Sequence, residues 1–233
     1  MLVFQEQPLN PLQFMEAGEI FGTLLVQQIE KFVLPDFQMV GCNSTKDLPR
    51  KNCKLQLRGE NYHPDCSNDL VPPSATNPVA VQIPSLGGDT QFVDVRPTYD
   101  DLSIERKAKL VSKRSRHVHE SSRSLSSFAK LSPEEMARIP HIQQPLVIRH
   151  PVSDRPVLYL ITGRMKGMPP NEAFTLIYEL YQNATQPCYE YLHPRRIGDK
   201  VIWGNRSVMH QANADYDPDE FRYLYRVMPN GDR

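Results

Sequence analysis

The chain has 233 residues, 39% of them hydrophobic, with Lys+Arg and Asp+Glu both at 27 and a formal net charge of zero. That length suits one well-buried domain and is short for two, and a neutral total charge exerts no global pull toward nucleic acid or an anionic membrane. No apolar run approaches the ~20 residues of a membrane span, the N-terminus lacks a signal-peptide pattern, and Cys42, Cys53, Cys66 and Cys188 form neither a CxxC pair nor a zinc spacing, so reduced thiols in a cytoplasmic protein are the expectation.

In chain order, Asn10 followed by Pro11 is an N-cap and first-turn pair. It opens a helix carrying Phe14, Ala17 and Phe21. Apolar stretches of strand length recur between turn signals at 79–83, 146–148, 157–161, 189–192, 201–203 and 223–227. A second helix begins near Asn171, with Phe174, Ile177, Leu180 and Tyr181 at helical spacing, all expected to be core contacts. The 21 prolines against 11 glycines mark a loop-rich chain, and the elements together predict a mainly β fold with flanking helices, a sandwich or jelly roll. The basic stretch 106–123 carries Lys107, Lys109, Lys113, Arg114 and Arg116, with no acidic residue until Glu120. Asp100, Asp101 and Glu105 just before it favour a solvated helix and loop over a phosphate or nucleic-acid site.

His63-Pro64-Asp65 and the distant His210 carry the chemistry. Two neutral imidazoles and one carboxylate are the ligand set of the facial triad in non-haem Fe(II) oxygenases, which leaves open positions on one side of the ion. In a strand, residues i and i+2 face the same way, so His63 and Asp65 can grip one metal together. His210 is the third ligand, brought in from a distant segment. Arg222, beyond His210, offers a planar guanidinium fork suited to an acidic co-substrate. Arg226 follows four residues later, and on a strand it would share that face. A competing pair, His117 and His119 with Glu120 adjacent, has the same i, i+2 spacing. His141, His150 and His193 are expected to be surface or hydrogen-bonded structural histidines, and Cys66 a packing residue.

The triad stands among further blocks: Tyr62-His63-Pro64-Asp65, Val71-Pro72-Pro73, Gly87-Gly88-Asp89-Thr90-Gln91-Phe92 and Tyr99. After these come Gly198-Asp199-Lys200-Val201-Ile202-Trp203-Gly204-Asn205-Arg206, then His210-Gln211-Ala212-Asn213-Ala214-Asp215-Tyr216, then Arg222 and Arg226. In this order they resemble the taurine dioxygenase (TauD/TfdA) family of Fe(II)- and 2-oxoglutarate-dependent dioxygenases, from Leu2 to Arg226. The pair at His117 lacks such blocks.

The resemblance implies a double-stranded β-helix (jelly roll) over 1–233 as one domain. It implies Fe(II) on His63, Asp65 and His210, with 2-oxoglutarate and O2 as co-substrates. Arg222 and Thr90 would hold the distal carboxylate of 2-oxoglutarate, and Arg226 an anionic group on the primary substrate. That substrate would be a small anion such as a sulfonate, sulfate ester, aryloxy acid or amino-acid derivative. It would be hydroxylated with release of succinate and CO2, with no nucleic-acid or membrane partner and a homo-oligomer left open. Desaturation or oxidative decarboxylation at the same centre, and a jelly-roll binding protein without catalysis, are the rivals. By the same resemblance, 2–9 matches the family's second strand, the family's first N-terminal elements are lacking, and 100–145 is a variable insert or active-site cover. Gly204 stands where the family commonly has Asp in Trp-Asp-Asn-Arg, and the spacing from His210 to Arg222 is one residue longer than in taurine dioxygenase. Asp65 argues against the halogenase variant, which needs a small residue there.

Overall fold

The computed structural model describes residues 1–27, 29–46, 50–51, 54–55, 59, 61–117, 134, 142–160, 164–165 and 170–231. The strands are β1 (Leu2–Phe4), β2 (Val33–Leu34), β3 (Phe37–Ser44), β4 (Arg50–Lys51), β5 (Lys54–Leu55), β6 (Ala75–Gln82), β7 (Thr90–Asp94) and β8 (Arg114–His117). They continue with β9 (Ile142–Pro145), β10 (Val147–Arg149), β11 (Pro156–Leu158), β12 (Arg164–Met165), β13 (Glu190–His193), β14 (Lys200–Gly204), β15 (Val208–Ala212) and β16 (Tyr223–Val227). The helices are α1 (Pro11–Glu19), α2 (Val95–Asp100), α3 (Ile104–Leu110) and α4 (Pro170–Ala184).

Two antiparallel sheets position the site. The larger has six strands in the order β1-β14-β6-β16-β3-β2, and the smaller has three in the order β13-β7-β15. An isolated antiparallel bridge between His63 and His210 adds a fourth line of backbone to the smaller sheet. The sheets meet through Phe92, Val201, Trp203 and Val208, with the Phe92 and Trp203 rings edge to face at 5.1 Å. This two-layer antiparallel arrangement is the jelly roll expected from the strand pattern.

The period-2 geometry of a strand decides which side chains reach the seam. On β7 and β15, Phe92 pairs with His210 and Thr90 with Ala212, so these side chains share the inner face. Val93 and Met209 alternate to the other face, where they join a core with Ile177, Leu180 and Ala184 of α4. The outer face of the six-stranded sheet is covered by α1 through Phe14, packed with Leu24, Val40, Val79 and Val227. With both faces covered, β6 is buried from Thr76 to Ala80.

Local signals account for the helices. Asn10 Oδ1 accepts from the Gln13 N–H at 2.9 Å while Gln13 Oε1 accepts from the Asn10 N–H at 3.1 Å, a reciprocal capping box followed by Pro11. In α4 the inward stripe is Ala173, Ile177, Leu180 and Ala184. Phe174 is a correction: it is 42% exposed and stacks on Tyr178 on the solvent side, because the helical stripe passes through its neighbour Ala173. Phe21 likewise lies past the end of α1 and is partly exposed. The described part of the basic stretch forms α3 and β8, where Arg106 pairs with Glu179 at 3.1 Å and Lys107 Nζ donates to the Asp100 carbonyl at 2.6 Å. The helix is solvated as expected, but 114–117 form a strand with Ser115 and His117 buried instead of the expected loop; 118–123 lie outside the described residues. Cys42, Cys66 and Cys188 form no disulfide, and Cys53 lies outside the described residues. Among the described residues no helix is long and apolar enough to cross a membrane.

Candidate metal centre

The backbone brings His63 and His210 together directly. Each N–H donates to the other's carbonyl at 3.1 Å, and the imidazole centroids stand 4.5 Å apart. Pro64 has no N–H to continue the ladder, so the chain leaves the bridge and enters a turn that carries Asp65. The i, i+2 strand geometry expected for His63 and Asp65 therefore does not hold. A bridge followed by a turn achieves the same convergence: a ligand atom from each of His63, Asp65 and His210 lies within 4.8 Å of the others. Gly59 completes the approach. Its φ is +75°, its carbonyl accepts from the Ala212 N–H at 2.8 Å, and a Cβ there would stand 2.8 Å from His63 Cε1.

The electrostatics fit a divalent cation. His63 Nδ1 is 2.7 Å from the Asn61 carbonyl; a carbonyl only accepts, so Nδ1 is the donor to it and Nε2 is the nitrogen left for a metal. Burial pushes the His210 imidazole down to about 3, leaving it neutral at pH 7. Burial would raise the Asp65 carboxyl, but the Arg226 guanidinium, with a hydrogen bond from Thr76, holds it well below the usual carboxylate range. Two imidazole nitrogens and one ionised carboxylate oxygen thus converge on one spot, the donor set for non-haem Fe(II). Behind them His210 packs on Trp203 at 4.6 Å, which keeps water from that side.

Two residues to which the sequence analysis assigns no task hold the carboxylate in place. Thr76 Oγ1 donates to Asp65 Oδ2 at 2.7 Å and accepts from Asn205 Nδ2 at 2.9 Å, and all three side chains are buried. Asn205 lies within the Trp203–Arg206 block, so its position was visible although its task was not. Thr76 is separated from Asp65 only by a loop, and nothing in its own neighbourhood marks it. Partners of this kind orient metal ligands, and removing one costs on the order of 10–100-fold in metal affinity. Thr76→Val is accordingly expected to weaken Mn(II) binding by about tenfold or more, measured by titration of the metal-free protein. An unchanged affinity would leave Arg226 as the sole positioner of Asp65.

Arg226 Nη1 donates to Asp65 Oδ1 at 3.0 Å, while its Nε is buried without a hydrogen-bond partner. Arg222 lies just ahead of β16 and reaches a different place. Its Nε donates to the Gly88 carbonyl at 2.8 Å and its Nη2 to Thr90 Oγ1 at 3.0 Å. Thr45 fixes its backbone by accepting from the Arg222 N–H at 2.8 Å. Burial lowers the Arg222 pKa to about 10, so it stays cationic at neutral pH. The structure thus gathers His63, Asp65, His210 and Arg226 at one point and Arg222 with Thr90 at a neighbouring one.

The competing histidines go elsewhere. His117 is fully buried on β8, stacked on Tyr159 with a ring nitrogen 2.8 Å from Ser115 Oγ. His119, Glu120 and His141 lie outside the described residues. His150 Nδ1 accepts long hydrogen bonds from the N–H groups of Val152 and Ser153 at 3.4 Å. His193 is buried 3.4 Å from Asp199. The triad is the one metal-capable cluster of His, Cys, Asp or Glu among the described residues.

Comparison with known proteins agrees with this geometry. A family model described as taurine catabolism dioxygenase TauD, TfdA family, matches residues 1–228. The chain is 29% identical to an alpha-ketoglutarate-dependent 2,4-dichlorophenoxyacetate dioxygenase of Burkholderia sp. (strain RASC), over 100% of this chain and 82% of that enzyme. It is 30% identical to an (S)-phenoxypropionate/alpha-ketoglutarate-dioxygenase of Sphingobium herbicidovorans, again over 100% and 82%. Among solved structures, AAD-2 in complex with Mn(II) and N-oxalylglycine matches with a TM-score of 0.82 at 28% identity, covering 100% of this chain and 82% of that one. A taurine dioxygenase from Burkholderia xenovorans matches at 0.80 and 26% identity, covering 99% and 76%.

Proposed function

The chain belongs to the TauD/TfdA family of 2-oxoglutarate-dependent non-haem iron dioxygenases, and from that premise we propose that it hydroxylates a small organic anion, with 2-oxoglutarate and O2 as co-substrates and succinate and CO2 as co-products. One observation carries the reading: a two-histidine, one-carboxylate triplet stands beside a buried cationic pocket on the same inner sheet face. His210 and Thr90 belong to adjacent pairs of that face, His210 with Phe92 and Ala212 with Thr90. Two residues along a strand span roughly 7 Å, a length that suits an extended five-carbon dicarboxylate.

His63, Asp65 and His210 would hold the Fe(II). When bound, the ion supplies with 2-oxoglutarate and O2 the oxidising chemistry that removes hydrogen from a C–H bond. The protein's part is orientation and charge. Arg222 and Thr90 receive the distal carboxylate, and the carbonyl of Gly88 holds the guanidinium at the correct angle. Gly88 has φ +72° and no room for a Cβ, which would meet Pro84 Cγ at 2.7 Å. Thr76 and Asn205 keep Asp65 aimed at the ion, and Trp203 and Phe92 shield His210 from water.

Arg226 is assigned to the primary substrate. One of its donors is engaged with Asp65 and its Nε is buried and unused, so an incoming anion would satisfy a donor that is otherwise costly to bury. Two of the similar enzymes named above are named for phenoxyalkanoates, and another, from Saccharomyces cerevisiae, is a sulfonate dioxygenase; phenoxyalkanoates and sulfonates are both anions. Arg226→Ala is expected to raise the substrate KM by about tenfold or more and to shift preference toward neutral analogues. A change confined to the 2-oxoglutarate KM would remove Arg226 from the substrate site.

The function is tested with a panel of sulfonates, sulfate esters and aryloxyalkanoates supplied with Fe(II), 2-oxoglutarate and O2. The expected result is iron-dependent succinate formation with a product that has gained one oxygen, or has broken at the carbon–heteroatom bond next to the hydroxylated carbon. A product that has only lost two hydrogens would replace hydroxylation by desaturation. Iron binding without succinate from any member of the panel would count against the substrate class.

A further inference from the structure

Arg222 and Thr90 leave one buried charge in their pocket unexplained. Arg195 lies just past β13 and is 6% exposed. Its Nε donates to Thr90 Oγ1 at 2.9 Å and its backbone N–H donates to Asp89 Oδ1 at 3.1 Å. Its Nη1 is buried with no hydrogen-bond partner, and Arg195 makes no ion pair among the described residues. Burial and the neighbouring Arg222 charge both act against its cationic form, opposed more weakly by Asp199 and Asp89.

The hydroxyl between the two arginines sets the direction of the missing partner. A threonine oxygen has two acceptor lone pairs and one proton to donate. Arg195 Nε occupies one lone pair of Thr90 and Arg222 Nη2 the other, at 2.9 and 3.0 Å. Thr90 can then act only as a donor to anything further, and it is 2% exposed, so solvent does not take that proton freely. Two guanidinium groups and a hydroxyl committed to donating converge in one buried place. Such a set is costly without an acceptor that carries negative charge.

We propose that Arg195 is a second co-substrate-binding arginine, so that the distal carboxylate of the 2-oxo acid is held between Arg195 and Arg222 with Thr90 donating to it. The assignment rests on the co-substrate reading given above and adds a binding residue to it.

The test is calorimetric titration of the Mn(II)-loaded protein with 2-oxoglutarate and, separately, with oxalate, which can chelate the ion but has no distal carboxylate. Wild type, Arg195→Met, Arg195→Lys and Arg222→Met are compared. Arg195→Met is expected to weaken 2-oxoglutarate by about tenfold or more, as for loss of one partner from a buried charged pair, and to leave oxalate and Mn(II) binding unchanged. Arg195→Lys keeps the charge but loses the fork, and should recover part of that loss. Wild-type affinity for 2-oxoglutarate in Arg195→Met, or equal loss for both ligands, overturns the proposal and makes Arg195 a structural residue balanced by Asp89 and Asp199. If Arg195→Met does not fold, Arg195→Lys decides alone: it should bind 2-oxoglutarate several-fold more weakly with oxalate unchanged, and wild-type binding overturns the proposal. Arg222→Met separates the two readings. If it too binds 2-oxoglutarate like wild type, the carboxylate pocket itself is misplaced; if it loses binding while Arg195→Met does not, only Arg195 is misassigned.

Discussion

His210→Ala is expected to abolish 2-oxoglutarate turnover while the protein remains folded. The side chain supplies one of only three protein donors to the proposed iron, and the imidazole is already neutral and desolvated for that task. Its removal leaves Asp65 and His63 with an ion they cannot hold in the facial geometry. The backbone bridge between residues 63 and 210 does not depend on the imidazole, since both of its hydrogen bonds are main-chain. The sheet should therefore survive, with some loss of packing against Trp203. The measurement pairs Fe(II)-dependent succinate formation with a thermal melt. Wild-type succinate formation by a folded variant would remove His210 from the metal centre.

Arg222→Ala is expected to raise the 2-oxoglutarate requirement by at least tenfold. Removing one partner of a buried, hydrogen-bonded charge pair costs roughly 2–5 kcal/mol, and each 1.4 kcal/mol is about a factor of ten in affinity. Arg222 is 6% exposed, so water cannot replace the lost contact cheaply. Thr90→Ala removes one neutral donor, worth about 1 kcal/mol, and should have a smaller effect on the same constant. Steady-state kinetics with 2-oxoglutarate as the varied substrate decide the matter. An unchanged KM in Arg222→Ala would transfer the carboxylate to Arg226.

The donor types of the candidate metal centre were legible in the sequence because they depend on residue identity alone. His63, Asp65 and His210, with Thr90 and Arg222 in their blocks, needed no knowledge of topology to be picked out. The first helix and the strand at 223–227 were equally readable, since a cap and an alternation are local signals that neighbours in the chain complete. Other features needed the tertiary structure. The strand expected at His63 is a single bridge followed by a turn, because Pro64 cannot donate to the ladder. Phe174 faces water because the rotation of α4 on its sheet is set by Ala173, Ile177, Leu180 and Ala184 together. Thr76 meets Asp65, Arg226 meets Asp65 and Arg195 meets Thr90 across separations of 11, 161 and 105 residues. None of these pairings leaves a trace in the spacing of its own segment. They arise from the order in which strands lie side by side, and that order is chosen by burial of apolar faces over the whole chain. A sequence therefore declares which groups can bind a metal and a carboxylate, while the packing of two sheets decides which buried hydroxyls, amides and guanidinium groups are left to hold them.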